Sequence, residues 1–405
     1  MDANRTLELQ DWMIADGTVA VMKALGAGSL DVRFVGGCVR DAILEKPIKD
    51  VDIATPDPPE TVMKKLQAAG VKAIPTGLAH GTITAVADGQ NFEITTLRQD
   101  LACDGRHAKV VFTDDWRADA ARRDLTINAL SMSPSGTIYD YFGGLEDLWV
   151  GRVRFVGDPR ARIAEDYLRL LRFFRFHAHY GRGAPDPAAL SAATDLKSNL
   201  GHLSGERVRE ELLRLLAARD PLPMLHIMAE RQVLSNILPG QSDLSRLGDL
   251  VQLDVEGLAT SDSLLRLAAL SPKGDPAFHA DRLKLSNAQA RRLSEISSHA
   301  LAVNEDLGPS LYRRGAEAVR DSWLLDWAAH PLSHQKKARL AGLAQIESWQ
   351  PKAFPLTGAD LLERGLAPGP EVGDLLRQIE DWWIAAEFVP DRPACLAELD
   401  KRLRT

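Results

Sequence analysis

Cysteine is scarce in this chain, and the shortage excludes two architectures at once. The three residues, Cys38, Cys103 and Cys395, lie far apart and form no C-x-x-C pair. Neither a disulfide framework nor a structural zinc site is implied, and a reducing cytoplasm suits them. Long apolar runs are missing too. No stretch is long enough to span a bilayer, and the leading MDANRTLELQDWM carries acids and lacks the apolar core of a secretory signal. There is no excess of positive charge, since 49 Lys and Arg stand against 56 Asp and Glu, a formal net charge of -7. That balance argues against a chain coated in nucleic acid but leaves room for a local basic strip. Fixed-period repeats and low-complexity tracts are absent, and the C-terminal half holds no His-Asp pair of the metal-hydrolase kind. What remains is an ordinary soluble composition, 45% hydrophobic over 405 residues, enough for two to four domains with a large core.

One stretch stands out, GGCVRDAILEKPIKDVDIAT from Gly36 to Thr55. Before it, Val32, Phe34 and Val35 read as a short buried strand, and Gly36-Gly37 falls where the backbone must turn sharply. Val39 to Leu44 has helical spacing. A glycine pair between a strand and a helix start presents backbone N–H groups to phosphate oxygens, and Arg40 adds a permanent cation. Asp50-Val51-Asp52 then opens a strand whose alternation puts both carboxylates on one face. Two such carboxylates repel unless a cation sits between them, and a hard divalent ion, Mg²⁺ above all, suits oxygen ligands. A Gly-Gly turn alone is most often just a turn, and a lone D-x-D is most often a solvated strand edge. Together and in this order they read as a site for a nucleoside triphosphate and its metals.

With Val39-Arg40-Asp41 between its two halves, this combination resembles the signature of the nucleotidyltransferase superfamily that includes DNA polymerase beta. Within that superfamily it resembles the class II tRNA nucleotidyltransferases (CCA-adding enzymes) and the bacterial poly(A) polymerases. Later segments carry the same likeness. In Phe92-Glu93-Ile94, Glu93 is either an exposed strand acid or the position matching the family's third carboxylate. The polar run Arg98 to Asp119, centred on Asp104-Gly105-Arg106-His107, reads as a mobile loop where such enzymes have one. Arg122-Arg123-Asp124 with Leu125 to Leu130 matches RRDxTINA; by resemblance Arg122, Arg123, Asp124 and Asn128 hold the ribose. Tyr139-Asp140 and Gly143 to Leu148 resemble the hinge between head and neck.

Residues 158–180 have the periodicity of one long helix. Glu165, Arg169 and Arg172 fall at i, i+4 and i+7 with Asp166 alongside, either a surface ladder of little worth or a functional stripe. Cytosine and adenine each present an amino donor beside a ring-nitrogen acceptor, whereas uracil and guanine present the reverse. A fixed Asp166 acceptor next to a fixed Arg169 donor accepts C and A and leaves unpaired groups with U and G, at roughly 1–3 kcal/mol apiece. The resemblance to EDxxRxxR covers Glu165, Asp166, Arg169 and Arg172, and makes Arg172 a phosphate contact. Between Arg152 and Arg219 there are 13 Lys or Arg against 8 Asp or Glu, a local +5 that suits an RNA backbone. Ser204 to Glu211 resembles the family motif that braces the base pocket. From residue 221 on the pattern is helical, and Trp382-Trp383 reads as buried packing in preference to a base-stacking platform.

The expected class is α+β: a small α/β head at 1–150, an all-helical neck at 151–220, and a helical, tRNA-binding body and tail at 221–405. The resemblance implies template-independent addition of CCA to the tRNA 3′ end from CTP and ATP. In that reading Asp50, Asp52 and Glu93 are catalytic, Asp50 and Asp52 hold two Mg²⁺, and Gly36, Gly37 and Arg40 seat the triphosphate. Neither a membrane nor DNA is an expected partner. A poly(A) polymerase shares every head motif, and a partial CC- or A-adding enzyme and a silent RNA-binding protein are the competing readings. The PGPEVG segment at Pro368 to Gly373 favours CCA addition.

Overall fold

The computed structural model of the protein describes residues 5–26, 32–103, 108–240, 242–271, 276–298, 301, 303, 305–331 and 335–404. Side chains at 100–103 and 108–110 are outside the described set. The class is α+β, a sheet-bearing head followed by helices. Contacts divide the chain into two compact units, one of residues 1–240 with 282–284 and the other of 241–281 with 285–405.

The first unit opens with α1 (Asp11–Ile14) and α2 (Asp16–Leu25). Ala15 sits at an extended backbone and separates the two pieces. Then come β1 (Arg33–Val35), α3 (Gly37–Ile43), β2 (Val51–Thr55), α4 (Pro59–Ala68), β3 (Lys72–Gly77), β4 (Thr82–Ala87) and β5 (Gln90–Thr96). A hairpin follows, β6 (Arg98–Cys103) with β7 (Ala108–Phe112), leading to α5 (Trp116–Ala121). The strands β8 (Ser131–Met132) and β9 (Ile138–Tyr139) close a sheet of order β3-β4-β5-β2-β1-β8-β9. Only the β2–β5 pair in it is parallel, among the pairings described.

Alternation decides what each face carries. Val51, Ile53, Ile83, Phe92 and Ile94 are buried, while Asp52, Thr84 and Glu93 occupy the intervening positions. Helices α2 and α4 pack against this sheet. Leu66 and Val62 of α4 and Val21 and Leu25 of α2 supply the covering apolar surface. The stretch 98–119 is more regular than its polar composition suggests: β6 and β7 pair antiparallel from Arg98↔Phe112 to Cys103↔Ala108. Backbone pairing in a ladder satisfies N–H and C=O groups whatever the side chains are. The expected mobility at Asp104 to His107 falls outside the described residues.

Next come α6 (Gly144–Val150), α7 (Pro159–Glu165), α8 (Leu168–Tyr180), α9 (Pro187–Leu196), α10 (Gly205–Leu216), α11 (Leu222–Glu230) and α12 (Leu234–Ile237). The long helix expected over 158–180 is broken. Asp166 leaves the helical region at φ -157 and ψ 109 and accepts a hydrogen bond from the Leu168 N–H at 3.2 Å. An aspartate that bonds nearby backbone competes with helix propagation and starts a new helix. Helix α8 buries Leu170, Leu171, Phe173 and Phe174 and packs on α10.

The second unit is helical in its described residues, from Leu244–Val255 to Arg392–Leu403. Trp383 is buried there, with Tyr312, Phe354 and Phe388 rings at 5.6, 5.4 and 5.1 Å, and its indole donates to the Pro390 carbonyl at 2.8 Å. No described helix of the chain is long and apolar enough to cross a membrane.

Candidate active site

The strand-to-helix turn after β1 positions the first group. Gly36 has φ +71, a left-handed conformation that a side chain disfavours, and a Cβ there would stand 3.0 Å from an Arg123 guanidinium nitrogen. The turn thus lets backbone and Arg123 approach closely. Gly37 opens α3, and Arg40 one turn on is almost fully buried. Its guanidinium donates to both oxygens of Asp41, at 2.9 and 2.8 Å, and to Asn128 Oδ1 at 2.7 Å.

The carboxylates lie on the neighbouring strands. Asp50 immediately precedes β2, Asp52 is within it, and β5 runs alongside with Glu93 in register with Asp52. Like charges gather here with little to offset them. Burial first, then the Glu93 charge, push the Asp52 carboxyl up to about 6 from 3.8; Arg123 pulls it down and Asp50 adds to the rise. Burial first, then the Asp52 charge, push the neighbouring Cys38 thiol up to about 12.

The third group hangs on α5 and the turn after it. Asp119 is buried and receives the Arg98 N–H at 3.2 Å, Arg122 Nε at 2.9 Å and Arg123 Nη2 at 3.5 Å. It therefore ties the root of the β6–β7 hairpin to both arginines. Asp124 Oδ1 accepts from the Leu125 N–H at 2.8 Å and Asn128 Nδ2 at 3.1 Å, and Oδ2 accepts from Arg172 Nε at 2.6 Å. Burial alone would raise the Asp124 carboxyl, but the Arg172 charge and these three donors outweigh it and hold it at about 2.

Helices α7, α8 and α10 build the opposite wall. Glu165 accepts from Arg162 at 2.8 and 2.7 Å and from Arg169. Both arginines also reach the turn after α5: Arg162 donates to the Arg123 carbonyl at 2.6 Å and Arg169 to the Arg122 carbonyl at 3.3 Å. Asp166 Oδ2 accepts from Arg207 Nη2 at 2.6 Å. With the Leu168 N–H on its other oxygen, the carboxylate plane is fixed from both sides. Glu211 lies 3.7 Å from Arg172 and 2.6 Å from Arg175 Nε, the latter contact ionic and not aligned as a hydrogen bond.

A single cavity of about 560 Å³ joins these groups. Gly36, Gly37, Arg40, Asp52, Arg122, Arg123, Asp124 and Asn128 line one part of it. Asp166, Arg169 and Arg172 line another. Asp50 and Glu93 are not in its lining; they flank Asp52 on the sheet. Sequence reasoning overlooked Asp119, Arg175, Phe176 and Arg214. Asp119 stands three and four residues before Arg122 and Arg123, Arg175 continues the α8 stripe, and Arg214 lies seven after Arg207, so helical spacing held the signal.

Among the described residues no three His, Cys, Asp or Glu side chains converge as a ready-made metal cage. The donors at Asp52 are nevertheless all oxygen and carry surplus negative charge. A divalent ion fits that set, held by one or two carboxylates with the remaining ligands coming from phosphate and water.

Residues 32–154 match the family model of the Poly A polymerase head domain, and residues 184–244 match that of the probable RNA and SrmB- binding site of polymerase A. Fold, carboxylate strand and cavity thus define a nucleotidyltransferase head of the polymerase A type. The mitochondrial CCA tRNA nucleotidyltransferase 1 of Homo sapiens is 35% identical, across 92% of this chain and 87% of its own length. The CCA-adding enzyme of Lacticaseibacillus paracasei is 32% identical across 91% of each chain. Among solved structures, the Bacillus stearothermophilus CCA-adding enzyme in complex with CTP superposes with a TM-score of 0.80 at 27% identity, covering 98% of both chains. The chain belongs to the CCA-adding tRNA nucleotidyltransferase family.

Proposed function

We propose that this protein adds CCA to the 3′ end of tRNA from CTP and ATP, without a nucleic-acid template, through the residues of the 560 Å³ cavity. The observation that supports it most is the convergence, in that cavity, of the glycine turn, Asp52, the Arg122-Arg123-Asp124 turn and the Asp166–Arg169 pair. Gly36, Gly37 and Arg40 border the triphosphate end. Asp50 and Asp52 hold a divalent cation, which we take to be Mg²⁺, and Glu93 completes the carboxylate edge. When bound, such a cation would supply positive charge against the negative charge of the transferring phosphoryl group.

The RNA 3′-hydroxyl attacks the α-phosphorus in line and releases its proton to solvent; the new O–P bond forms as the bond to the oxygen bridging to the β-phosphorus breaks, and pyrophosphate leaves with that oxygen. Asp124, kept ionised, retains acceptor capacity for a ribose hydroxyl beside Asn128 and Arg123. Asp166, braced by Arg207, presents its acceptor next to the Arg169 donors and so selects C and A over U and G. Arg172 steadies Asp124 and faces the same cavity, where a phosphate is its ligand. The head occupies 1–150, the neck 151–220, and the body and tail from 221 carry the tRNA. Buried free thiols at Cys38 and Cys395 are suited to a reducing cytoplasm.

The test is extension of tRNA lacking CCA with each NTP singly and in mixture, resolved to single nucleotides. Addition of CC from CTP and a stop after one A is expected. Open-ended A tails would make the protein a poly(A) polymerase, and no extension would make it an RNA binder.

A further inference from the structure

A second cavity of about 190 Å³ opens beside the first and shares Arg40, Arg175, Phe176 and Arg214 with it. His179, Tyr180 and Ala217 complete its lining. None of these last three lines the larger cavity. The annex is built from the C-terminal half of α8, the end of α10 and one side of α3.

Its charges do not cancel. Arg40 is matched by Asp41 and Arg175 by Glu211. Lys46 lies over the Tyr180 ring at 4.2 Å, and Arg214 carries no carboxylate partner among the described residues. The Tyr180 hydroxyl donates to Asp41 at 2.9 Å, which uses up more of that carboxylate. His179 Nε2 lies 2.7 Å from the Arg214 carbonyl and so must donate to it. Burial, with the charges of Arg175, Lys46 and Arg40, holds the His179 ring below its ordinary value despite that carbonyl. The ring is thus kept from adding a further positive charge to a site already rich in it.

The aromatic surfaces also discriminate between ligands. Phe176 and Tyr180 stack on each other at 5.8 Å and 27°. Guanidinium groups of Arg40 and Arg175 lie 4.2 Å from the Tyr180 and Phe176 rings respectively. With Lys46 on Tyr180 as well, the ring faces are already capped and offer little to a stacking base. What the annex offers is cationic N–H donors around a small space, the chemistry that recognises phosphate.

We propose that this annex is a second phosphate site, next to the nucleotide site and distinct from it. The inference rests on the nucleotidyl-transfer reading for the source of its ligand, either the departing pyrophosphate or a phosphodiester of the RNA substrate. It does not rest on that reading for binding itself.

Ala217 gives the cleanest access, being exposed and confined to the annex. Calorimetry without divalent metal would titrate inorganic pyrophosphate, the dinucleotide CpC and CTP separately into the wild type, Ala217→Glu and Ala217→Arg. Charge reversal at one exposed position guards against misreading a folding defect, since the two variants must shift in opposite directions. For pyrophosphate as the ligand, the weaker of two sites loses about tenfold in affinity in Ala217→Glu and tightens in Ala217→Arg, with CTP affinity unchanged. If CpC responds in this way and pyrophosphate does not, the annex holds RNA backbone. Unchanged affinity for both ligands in both variants would overturn the proposal. Failure of CTP to bind the wild type would instead count against the nucleotide reading, leaving the annex to be judged by the other two ligands.

Discussion

Asp52 and Asp124 are both held within one cavity wall, yet their environments push them in opposite directions. At Asp52, burial and the charges of Glu93 and Asp50 raise the carboxyl to about 6, with only Arg123 opposing. At Asp124, Arg172, Asn128 and the Leu125 N–H overcome burial and hold the carboxyl at about 2. The difference separates the two kinds of charge that a nucleotide site needs. Asp124 is held ionised by donors that packing brings to it, which makes it a permanently charged acceptor in the cavity wall. Asp52 is left with repulsion that the protein does not relieve, which is what a residue awaiting a cation looks like.

The largest expected effect breaks that contrast at its charged end. Asp50→Ala is expected to lower nucleotide addition by about a thousandfold or more, while tRNA affinity in a filter-binding assay stays near the wild-type value. If binding and transfer fell together, the assigned roles would be wrong. At the other end, Asp124→Asn leaves Arg172 without its main partner and should cost about 3 kcal/mol of stability near neutral pH, read by urea unfolding.

The pH dependence of the two sites should differ in sign. A carboxyl held at about 2 in the fold against an ordinary 3.8 stabilises above that ordinary value, and the contribution fades as pH falls from about 4 through about 2. A carboxyl raised to about 6 does the reverse: its penalty is absent below about 4 and complete above about 6. Asp52→Asn should therefore raise the melting temperature of the metal-free protein at about pH 8 and leave it unchanged at about pH 3.5. Equal gains at both pH values would show that charge is not the cause.

A smaller effect is expected where the scaffold meets the base. Arg207→Ala frees one oxygen of Asp166, and UTP incorporation relative to CTP should rise about tenfold in single-turnover assays. An unchanged ratio would remove Arg207 from base selection. The smallest effect is a control outside both networks. Arg160 and Asp195 form an ion pair with 57% and 44% of their side chains exposed, and Asp195→Ala should shift stability by less than about 0.5 kcal/mol.

Much of this arrangement was legible in the chain itself. Period-two alternation put Asp50 and Asp52 on one side of Val51, and the RRD and DxxRxxR spacings marked residues that the fold brings to the cavity. Short-range patterns of that kind survive folding because backbone geometry enforces them. The break at Asp166 was not legible from periodicity, since a side chain's choice between solvent and its own backbone leaves apolar spacing unaltered. The order within residues 98–119 was hidden for a related reason, as pairing between β6 and β7 uses backbone groups that every residue has.

By itself, then, the sequence determined the family, the α+β class, the carboxylate strand and the types of group that could meet a nucleotide. Tertiary structure alone decided which of those charges are spent. Arg172 on Asp124 and Arg207 on Asp166 are pairings across 48 and 41 positions of chain, and one-dimensional spacing carries no information about them. Whether a buried carboxylate is satisfied depends on the donors that packing brings within about 3 Å, and that is fixed only when the helices close over the sheet.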